Sequence, residues 1–240
     1  MPKRIIVTGG SGKAGQYIIR RLLKAGHEVL NLDCVPLPDP LSTEVTTLQV
    51  DLTNLSEVYS ALTSQFYLTE LRSELPDRIP GAIINLAAHS NDVCAERVAR
   101  GFARRFGADV YVMRIGRLVA PDDEGLASMF ESYVKEPERW KVHGWSYTDA
   151  RDLGQMFARA VEVDMLGFQI FNATNNEITN LQRSSTEFLQ RVCPDVPFTR
   201  EMETREAPVS NRKIRELLGF EEEHSWPEYF QGGGSADKYE

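Results

Sequence analysis

The chain has 240 residues, 42% of them hydrophobic and 26% charged, so it can bury the core of one α/β domain. A formal net charge of −8 at pH 7 argues against nucleic acid and anionic membrane surfaces as partners. A cytoplasmic location is favoured by three cysteines without a Cys-x-x-Cys pair, by the lack of a long apolar run and by the lack of a signal-like leader. The four histidines are scattered and predict no metal site.

The first predicted elements surround a glycine-rich turn. An apolar strand ending at Thr8 leads into Gly9-Gly10-Ser11-Gly12-Lys13-Ala14-Gly15, and a helical pattern runs from Lys13 to Ala25. In a dinucleotide fingerprint one glycine permits the turn, one leaves room for a pyrophosphate and one lets helix and strand pack closely. A P-loop is excluded, because Ala14 stands where Ser or Thr is needed and Val7 where the first glycine belongs. The alternative is a glycine-rich turn in another kind of α/β protein.

The second predicted strand, Glu28–Leu32, ends at Asp33, about 20 residues after the turn, where dinucleotide-binding folds place an acid. The carboxylate of Asp33 is expected to accept hydrogen bonds from a ribose 2′-OH and to repel a 2′-phosphate. NAD is therefore favoured over NADP as the cofactor, although Lys13 is a weaker signal in the opposite direction.

Two further strands are predicted to end near the same site. Thr46–Val50 is followed by Asp51-Leu52, and Ala82–Leu86 is followed by Ala87-Ala88, whose small side chains let the backbone approach a cofactor. The predicted cofactor-binding residues are Gly9, Gly12, Lys13, Ala14, Gly15, Asp33, Asp51, Leu52, Leu86, Ala87 and Ala88.

The second half of the chain again alternates between helical and strand patterns. Asp92–Phe106 predicts an amphipathic helix with a solvated arginine face, and Val110–Ile115 predicts an apolar strand. The acidic run Asp122-Asp123-Glu124 is interpreted as an exposed loop, since no other metal ligands accompany it. A buried helix is predicted around Leu153–Val161, and residues 231–240 form a polar tail that is predicted to be disordered.

The order of these motifs resembles the extended short-chain dehydrogenase/reductases, the NAD-dependent epimerase/dehydratase family. The family's opening Thr-Gly-x-x-Gly-x-x-Gly is matched from Thr8 to Gly15, and its ribose acid is matched by Asp33. Its Asp-Leu near the adenine matches Asp51-Leu52, and its His-Leu-Ala-Ala appears as Asn85–Ala88. The resemblance covers the chain from Lys3 to about Trp226.

Later segments carry the same resemblance: Tyr111–Arg117, Trp145–Leu153, Phe171-Asn172 and Lys213–Phe220. In this family the substrate is bound by segments after the sixth strand, which implies substrate roles for Arg117, Trp145 and Arg151. The arginines would hold an anionic group, and the tryptophan would offer an aromatic face to a sugar. The structural alternatives are an ion pair near the helix start for Arg151 and a core position for Trp145.

The family's catalytic Ser or Thr and its Tyr-x-x-x-Lys have no counterpart here. Ala88-His89-Ser90-Asn91 runs directly into Asp92–Val98, which resembles the part of the catalytic helix that follows the lysine. None of the eight tyrosines is followed by lysine four residues later. The chain therefore lacks the phenol that exchanges a proton with substrate and the ammonium that lowers the pKa of that phenol.

The predicted fold class is α/β, a Rossmann-type doubly wound parallel sheet shortened by about one strand–helix unit, with a small C-terminal substrate lobe. One NAD(P)-binding domain is expected over residues 1–230, with 1–116 mainly the cofactor half and 117–230 mainly the substrate lobe. The shortening leaves either a slot between Ala82–Leu86 and Val110–Ile115 or a direct pairing of these two strands.

Two functions compete. The resemblance implies an oxidoreductase or epimerase that acts with NAD on a small-molecule sugar or nucleotide sugar, and a homodimer is compatible with it. The missing tyrosine and lysine imply a catalytically inactive NAD-binding or interaction protein. The abrupt junction at Ser90-Asn91 adds a third interpretation, a truncated or mis-spliced version of an active enzyme.

Overall fold

A computed structural model describes residues 1–66, 81–86, 93–180 and 184–229. The strands are β1 (Arg4–Thr8), β2 (Glu28–Asp33), β3 (Thr46–Gln49), β4 (Ala82–Asn85), β5 (Val110–Ile115), β6 (Arg117–Val119), β7 (Tyr147–Asp149) and β8 (Phe168–Ala173). The helices are α1 (Lys13–Lys24), α2 (Leu41–Glu44), α3 (Leu55–Phe66), α4 (Val93–Phe106), α5 (Leu126–Lys135), α6 (Ala150–Glu162), α7 (Ser185–Val192) and α8 (Arg212–Leu218), with 3-10 helices at Pro137–His143 and Trp226–Tyr229.

The chain divides into two compact units. Unit 1 comprises Met1–Val110 and Leu153–Phe168, and unit 2 comprises Tyr111–Asp152 and Gln169–Glu240. The single domain expected over residues 1–230 stays a prediction, and the tail 231–240 lies outside the described residues. No helix in the described ranges combines the length and apolar character that a membrane span requires.

Unit 1 is built on a four-stranded sheet in the order β3-β2-β1-β4, and every neighbouring pair is parallel. The central strand β1 is a continuous apolar run, because its Ile5, Ile6 and Val7 are buried. Helix α1 contributes Ile18, Ile19 and Leu22, which recur at helical spacing and are also buried. This parallel sheet with flanking helices confirms the predicted α/β, Rossmann-type fold.

Unit 2 contains two strand pairs, β5 with β8 and β6 with β7. The slot or direct pairing expected between β4 and β5 stays a prediction. The carboxylate of Asp109 accepts the N–H groups of Met165 and Gly167, both at 2.6 Å. The carbonyl of Gly167 then accepts the N–H of Val110, so the chain before β8 is fixed beside the start of β5.

The core of unit 2 is aromatic. The ring of Phe130 lies 5.2 Å from that of Tyr147 at a nearly perpendicular angle, and it stacks on the ring of Tyr229 at 5.7 Å. Tyr133 and Trp140 stack at 4.2 Å in the same cluster. Aromatic pairs in these geometries add to the stabilisation that comes from burial alone.

Candidate functional site

The predicted cofactor residues of unit 1 lie at the carboxyl edge of its sheet. Thr8 pairs with Leu32 on one side and with Asn85 on the other, so three neighbouring strands end together. The N–H of Leu86 donates to the carbonyl of Thr8 at 3.0 Å, which continues this edge beyond β4. Ligands of open parallel sheets bind at this edge. Ala87 and Ala88, also predicted to bind the cofactor, lie outside the described residues.

The turn between β1 and α1 has the conformation that a phosphate-binding turn requires. Gly9 adopts a φ of +72°, which favours glycine, and its N–H donates to the carbonyl of Leu32 at 2.9 Å. Gly12 is the N-cap of α1 and supplies no side-chain cap, and the first turn then carries Lys13, Ala14 and Gly15. Such a helix start presents backbone N–H groups and the positive end of the helix dipole to an anion.

The glycines of the turn differ in what their missing side chains allow. A Cβ added at Gly15 would lie 2.5 Å from the Cα of Gly10, and one added at Gly10 would lie 2.3 Å from Oδ1 of Asn31. A Cβ added at Gly12 meets nothing closer than the carbonyl oxygen of Gly9, at 3.4 Å. The fold itself therefore requires Gly10 and Gly15, whereas no neighbouring protein atom requires glycine at position 12.

Asp33 is buried at the end of β2 and is held by its neighbours. Its Oδ2 accepts the N–H of Ser11 at 2.9 Å, and its Oδ1 accepts the N–H of Val35 at 3.3 Å and lies 3.5 Å from Sγ of Cys34. A carboxylate offers about four acceptor positions, so these three contacts leave one for a ribose hydroxyl.

Asp51 and Leu52 follow β3 at the same edge. Asp51 is exposed, and its Oδ1 accepts the side-chain hydroxyl of Thr53 at 2.7 Å and the N–H of Thr53 at 2.9 Å. These two hydrogen bonds lower the pKa of the Asp51 carboxyl, so the group is ionised at neutral pH. Leu52 is partly buried against Ile6, Leu32 and Val50, which fixes the backbone that presents Asp51.

In unit 2, Arg117 is exposed at the start of β6. Its guanidinium carbon lies 5.6 Å from the centre of the Trp140 ring, and its Nε lies 2.9 Å from Sδ of Met129. The contact with an indole and the contact with a sulfur both orient the guanidinium.

The contacts of Arg151 and Trp145 within unit 2 are those of the structural roles considered above, an ion pair for Arg151 and a core position for Trp145. Arg151 binds the buried Asp149 through two side-chain hydrogen bonds, Nε to Oδ1 at 3.0 Å and Nη2 to Oδ2 at 2.9 Å, and also contacts the hydroxyl of Tyr229. Trp145 is only 2% exposed, its Nε1 donates to the carbonyl of Pro137 at 3.0 Å, and its ring meets Phe188 edge to face.

Two buried aspartates of the β7–α6 junction form a cluster that sequence reasoning missed. Asp149 accepts the hydroxyl of Tyr229, and burial, which would raise its pKa, is outweighed by hydrogen bonds from Arg151 and Tyr229 that lower it. The carboxylate of Asp152 lies 2.7 Å from Nδ1 of His224 and accepts the backbone N–H groups of Glu223 and His224. Burial raises the pKa of Asp152.

Ligand atoms of Asp152, Glu223 and His224 lie within 4.8 Å of one another, close enough to hold a cation. The hydrogen bonds to Asp152 already account for this grouping, which ties residues 223–224 to the start of α6. No spacing rule could have found it, because the partners lie 71 and 72 residues apart in sequence.

Three tyrosines of unit 2 stay protonated at neutral pH. Burial raises the pKa of Tyr133 to about 12 and also raises the pKa values of Tyr147 and Tyr229. The hydroxyl of Tyr147 is buried. A catalytic phenol needs the opposite shift, which a neighbouring cation produces.

The N-terminal part of the chain is similar in sequence to known proteins. Residues 5–93 match the model of a family described as the NAD dependent epimerase/dehydratase family. A 3-beta-hydroxysteroid dehydrogenase of Mycolicibacterium neoaurum is 44% identical over 59 residues, which are 25% of this chain and 16% of that protein. The match therefore spans about a sixth of the length of this curated relative.

Several solved structures resemble nearly the whole chain in fold. A dTDP-glucose 4,6-dehydratase from Bacillus anthracis in complex with NAD gives a TM-score of 0.60 at 11% identity, covering 96% of this chain and 94% of that one. MoeE5 in complex with UDP-glucuronic acid and NAD gives 0.55 at 17% identity, with 92% and 94% covered. A UDP-glucose 4-epimerase from Thermus thermophilus in complex with NAD gives 0.55 at 15% identity, with the same coverage. At such identities the likeness establishes the fold.

Proposed function

We propose that unit 1 binds NAD at the carboxyl edge of its parallel sheet, because residues 5–93 match the model of the NAD dependent epimerase/dehydratase family. The turn Gly9–Gly12 and the start of α1 hold the pyrophosphate, and Asp33 accepts the ribose hydroxyl. When bound, NAD supplies the hydride acceptor that the family's reactions use. Asp51, Leu52 and Leu86 line the same edge.

The observation that carries this proposal is that a Cβ at Gly12 would clash with no protein atom, since its nearest neighbour would be the carbonyl oxygen of Gly9 at 3.4 Å. A residue that no neighbour forces to be glycine stands at the start of a helix without a side-chain cap. A side chain there would occupy the volume in front of the helix N–H groups, where a phosphate would bind.

Replacing Gly12 by alanine should weaken NAD binding at least about tenfold, which is about 1.4 kcal/mol, because the added methyl group takes the place of the pyrophosphate. The melting temperature should change little, since the new Cβ has no clash. Isothermal titration calorimetry with NAD measures the first effect and thermal unfolding the second. The control is Gly101→Ala in α4, where a Cβ meets nothing within 4 Å and lies away from the glycine turn. Unchanged NAD affinity in Gly12→Ala would contradict the proposed site.

NAD should bind more tightly than NADP, by at least about tenfold, because the Asp33 carboxylate repels a 2′-phosphate. Asp33→Asn keeps an oxygen for the N–H of Ser11 but removes the charge. It should therefore reduce the difference between the affinities for NAD and NADP. Calorimetric titration with both nucleotides measures it, with Asp39→Asn, an exposed acid in the following loop, as the control. A wild-type preference for NADP would overturn the assignment.

The proposed substrate class is a sugar or nucleotide sugar, held in unit 2. Among the three predicted substrate residues, Arg117 is the exposed one, with its guanidinium oriented by Trp140. We therefore assign it to an anionic group of the substrate, such as a carboxylate or phosphate. The side chain of Arg151 is bound by Asp149, and that of Trp145 donates to the carbonyl of Pro137. We therefore assign neither of them a direct contact with the substrate.

Arg117→Ala should weaken binding of UDP-glucuronic acid by about tenfold, the usual loss for a charge-assisted hydrogen bond, and leave the melting temperature nearly unchanged. Arg139→Ala is the matched control, because this exposed arginine lies over the same Trp140 ring at 5.7 Å. Calorimetry with the nucleotide sugar measures both variants. Equal losses in the two, or a loss of stability without a loss of affinity, would exclude the role.

A second candidate function, NAD binding without turnover, is favoured by a specific observation. The chain has no Tyr-x-x-x-Lys, and burial raises the pKa values of Tyr133, Tyr147 and Tyr229 rather than lowering them. A cytoplasmic location is proposed with both functions, since Cys34 and Cys193 are free thiols.

A further inference from the structure

Asn31 lies in the middle of β2 with no exposed surface, yet its side chain is polar. Its Oδ1 accepts the N–H of Gly10 at 3.0 Å, and its Nδ2 donates to Oγ of Ser11 at 3.0 Å and to Oγ1 of Thr47 at 3.2 Å. A buried amide is costly unless its hydrogen bonds are made, and here both ends are occupied.

The contacts of Asn31 require an amide. One acceptor and two donors on one short side chain match the N–H of Gly10 and the two hydroxyls, whereas a carboxylate has no donor and an aliphatic side chain has neither group. The fit is also close, since a Cβ at Gly10 would lie 2.3 Å from Oδ1 of Asn31. The glycine turn is thus in direct contact with this amide.

Asn31 and Asp33 hold successive N–H groups of the same turn. They are two residues apart on β2, so their side chains point to the same face of the sheet. Asn31 accepts the N–H of Gly10, and Asp33 accepts the N–H of Ser11. The hydroxyl of Ser11 also donates to the carbonyl of Val35 at 2.8 Å, which links the turn to the backbone after Asp33.

We propose that Asn31 is the positioning residue of the cofactor site. It fixes the turn Gly9–Gly12 relative to Asp33, so that one dinucleotide meets the helix N–H groups and the ribose acid at the same time. Asn31 acts through Gly10 and Ser11 and does not itself touch the cofactor. The inference rests on the proposed NAD binding, and it predicts that loss of the amide costs the pyrophosphate contacts far more than the adenosine contacts.

The test is calorimetric titration of the full chain with two probes, NAD and adenosine, of which only NAD carries the pyrophosphate. Asn31→Leu, which is close in volume, should weaken NAD at least about tenfold and adenosine by less than about threefold. Thr47→Val is the matched control, because it removes one partner of the amide on β3 and leaves both contacts to the turn. It should change neither affinity by more than about twofold.

Ser11→Ala provides a second variant should Asn31→Leu fold poorly. It removes the hydroxyl that Asn31 binds but keeps the N–H that Asp33 accepts, so NAD should again weaken more than adenosine. Equal losses for NAD and adenosine in either variant, or unchanged NAD affinity in both, would overturn the positioning role while the wild-type protein still binds NAD. A wild-type protein that does not bind NAD would instead overturn the proposed function, and the inference with it.

Discussion

No reduction of NAD is expected when this chain is mixed with hexoses, uronates or nucleotide sugars. An alcohol must lose its proton as the hydride leaves, and the chain has no tyrosine followed by lysine four residues later. General acid–base catalysis is typically worth about 10²–10⁴-fold, and correct positioning of the reactants contributes more. Loss of both should reduce turnover below detection, even where NAD itself binds.

The assay follows the absorbance of reduced nicotinamide across a substrate panel at NAD concentrations below saturation, where Gly12→Ala should lower any genuine NAD-dependent rate. A robust rate that Gly12→Ala lowers would contradict the expectation. Ser90 and Asp92, which lie outside the described residues, are the groups to test in that case, and Asp92→Asn should then remove the rate. Activity that appears only after insertion of a segment with Tyr-x-x-x-Lys between Ser90 and Asn91 would support the interpretation that the chain is a truncated or mis-spliced version of an active enzyme.

The second large effect concerns Glu222 in unit 2, whose replacement by glutamine should stabilise the protein at pH 8. Burial is the main cause that raises the pKa of Glu222 from 4.5 to about 7, and the charges of Asp152 and Glu177 raise it further. The raised pKa means that the folded state binds the proton more tightly than the unfolded state does. Its stabilising contribution is therefore complete below about pH 4.5 and is lost as the pH rises through about 7.

At pH 8 the Glu222 carboxylate destabilises the fold by an amount on the order of 1–2 kcal/mol, after allowance for partial exposure. The amide introduced by Glu222→Gln would keep an oxygen for the N–H of Asn176, which Glu222 accepts at 3.2 Å. Thermal unfolding at pH 5 and pH 8 measures the effect, with Glu221→Gln, at the exposed neighbour, as the control. A similar gain in thermal stability at both values of pH, or a loss of stability at pH 8, would show that burial of the Glu222 carboxylate does not destabilise the fold.

The sequence predicts unit 1 well because its signals are local. The glycine turn, the helix that follows and Asp33 lie within 25 residues of Gly9, and their roles depend on backbone rules and spacing. The predicted helix Lys13–Ala25 differs from α1 by one residue, because Ala25 is the C-cap and Gly26 follows with a φ of +83°. The strand predicted over Val110–Ile115 is β5 itself.

The sequence does not predict the polar contacts of unit 2, because their partners are distant along the chain. Asp149 and Tyr229 are 80 residues apart, and Asp152 and His224 are 72 residues apart. A single arginine such as Arg151 reads equally well as a ligand or as a partner of a buried acid until the fold places Asp149 beside it. Asn31 carried no signal either, since a buried amide in an apolar strand is recognised only by what it binds.

The order in which the chain builds its two units has a practical consequence for chimeras. The chain leaves unit 1 after Val110, returns at Leu153 and leaves again after Phe168. The returning helix is closely fitted, since a Cβ at Gly154 would lie 2.9 Å from the carbonyl oxygen of Tyr17 in α1. A hybrid joined to a relative at a single crossover after Val110 would therefore pair this α1 with a foreign α6. Exchange of unit 2 as a whole requires three crossover points, at Val110, Asp152 and Phe168.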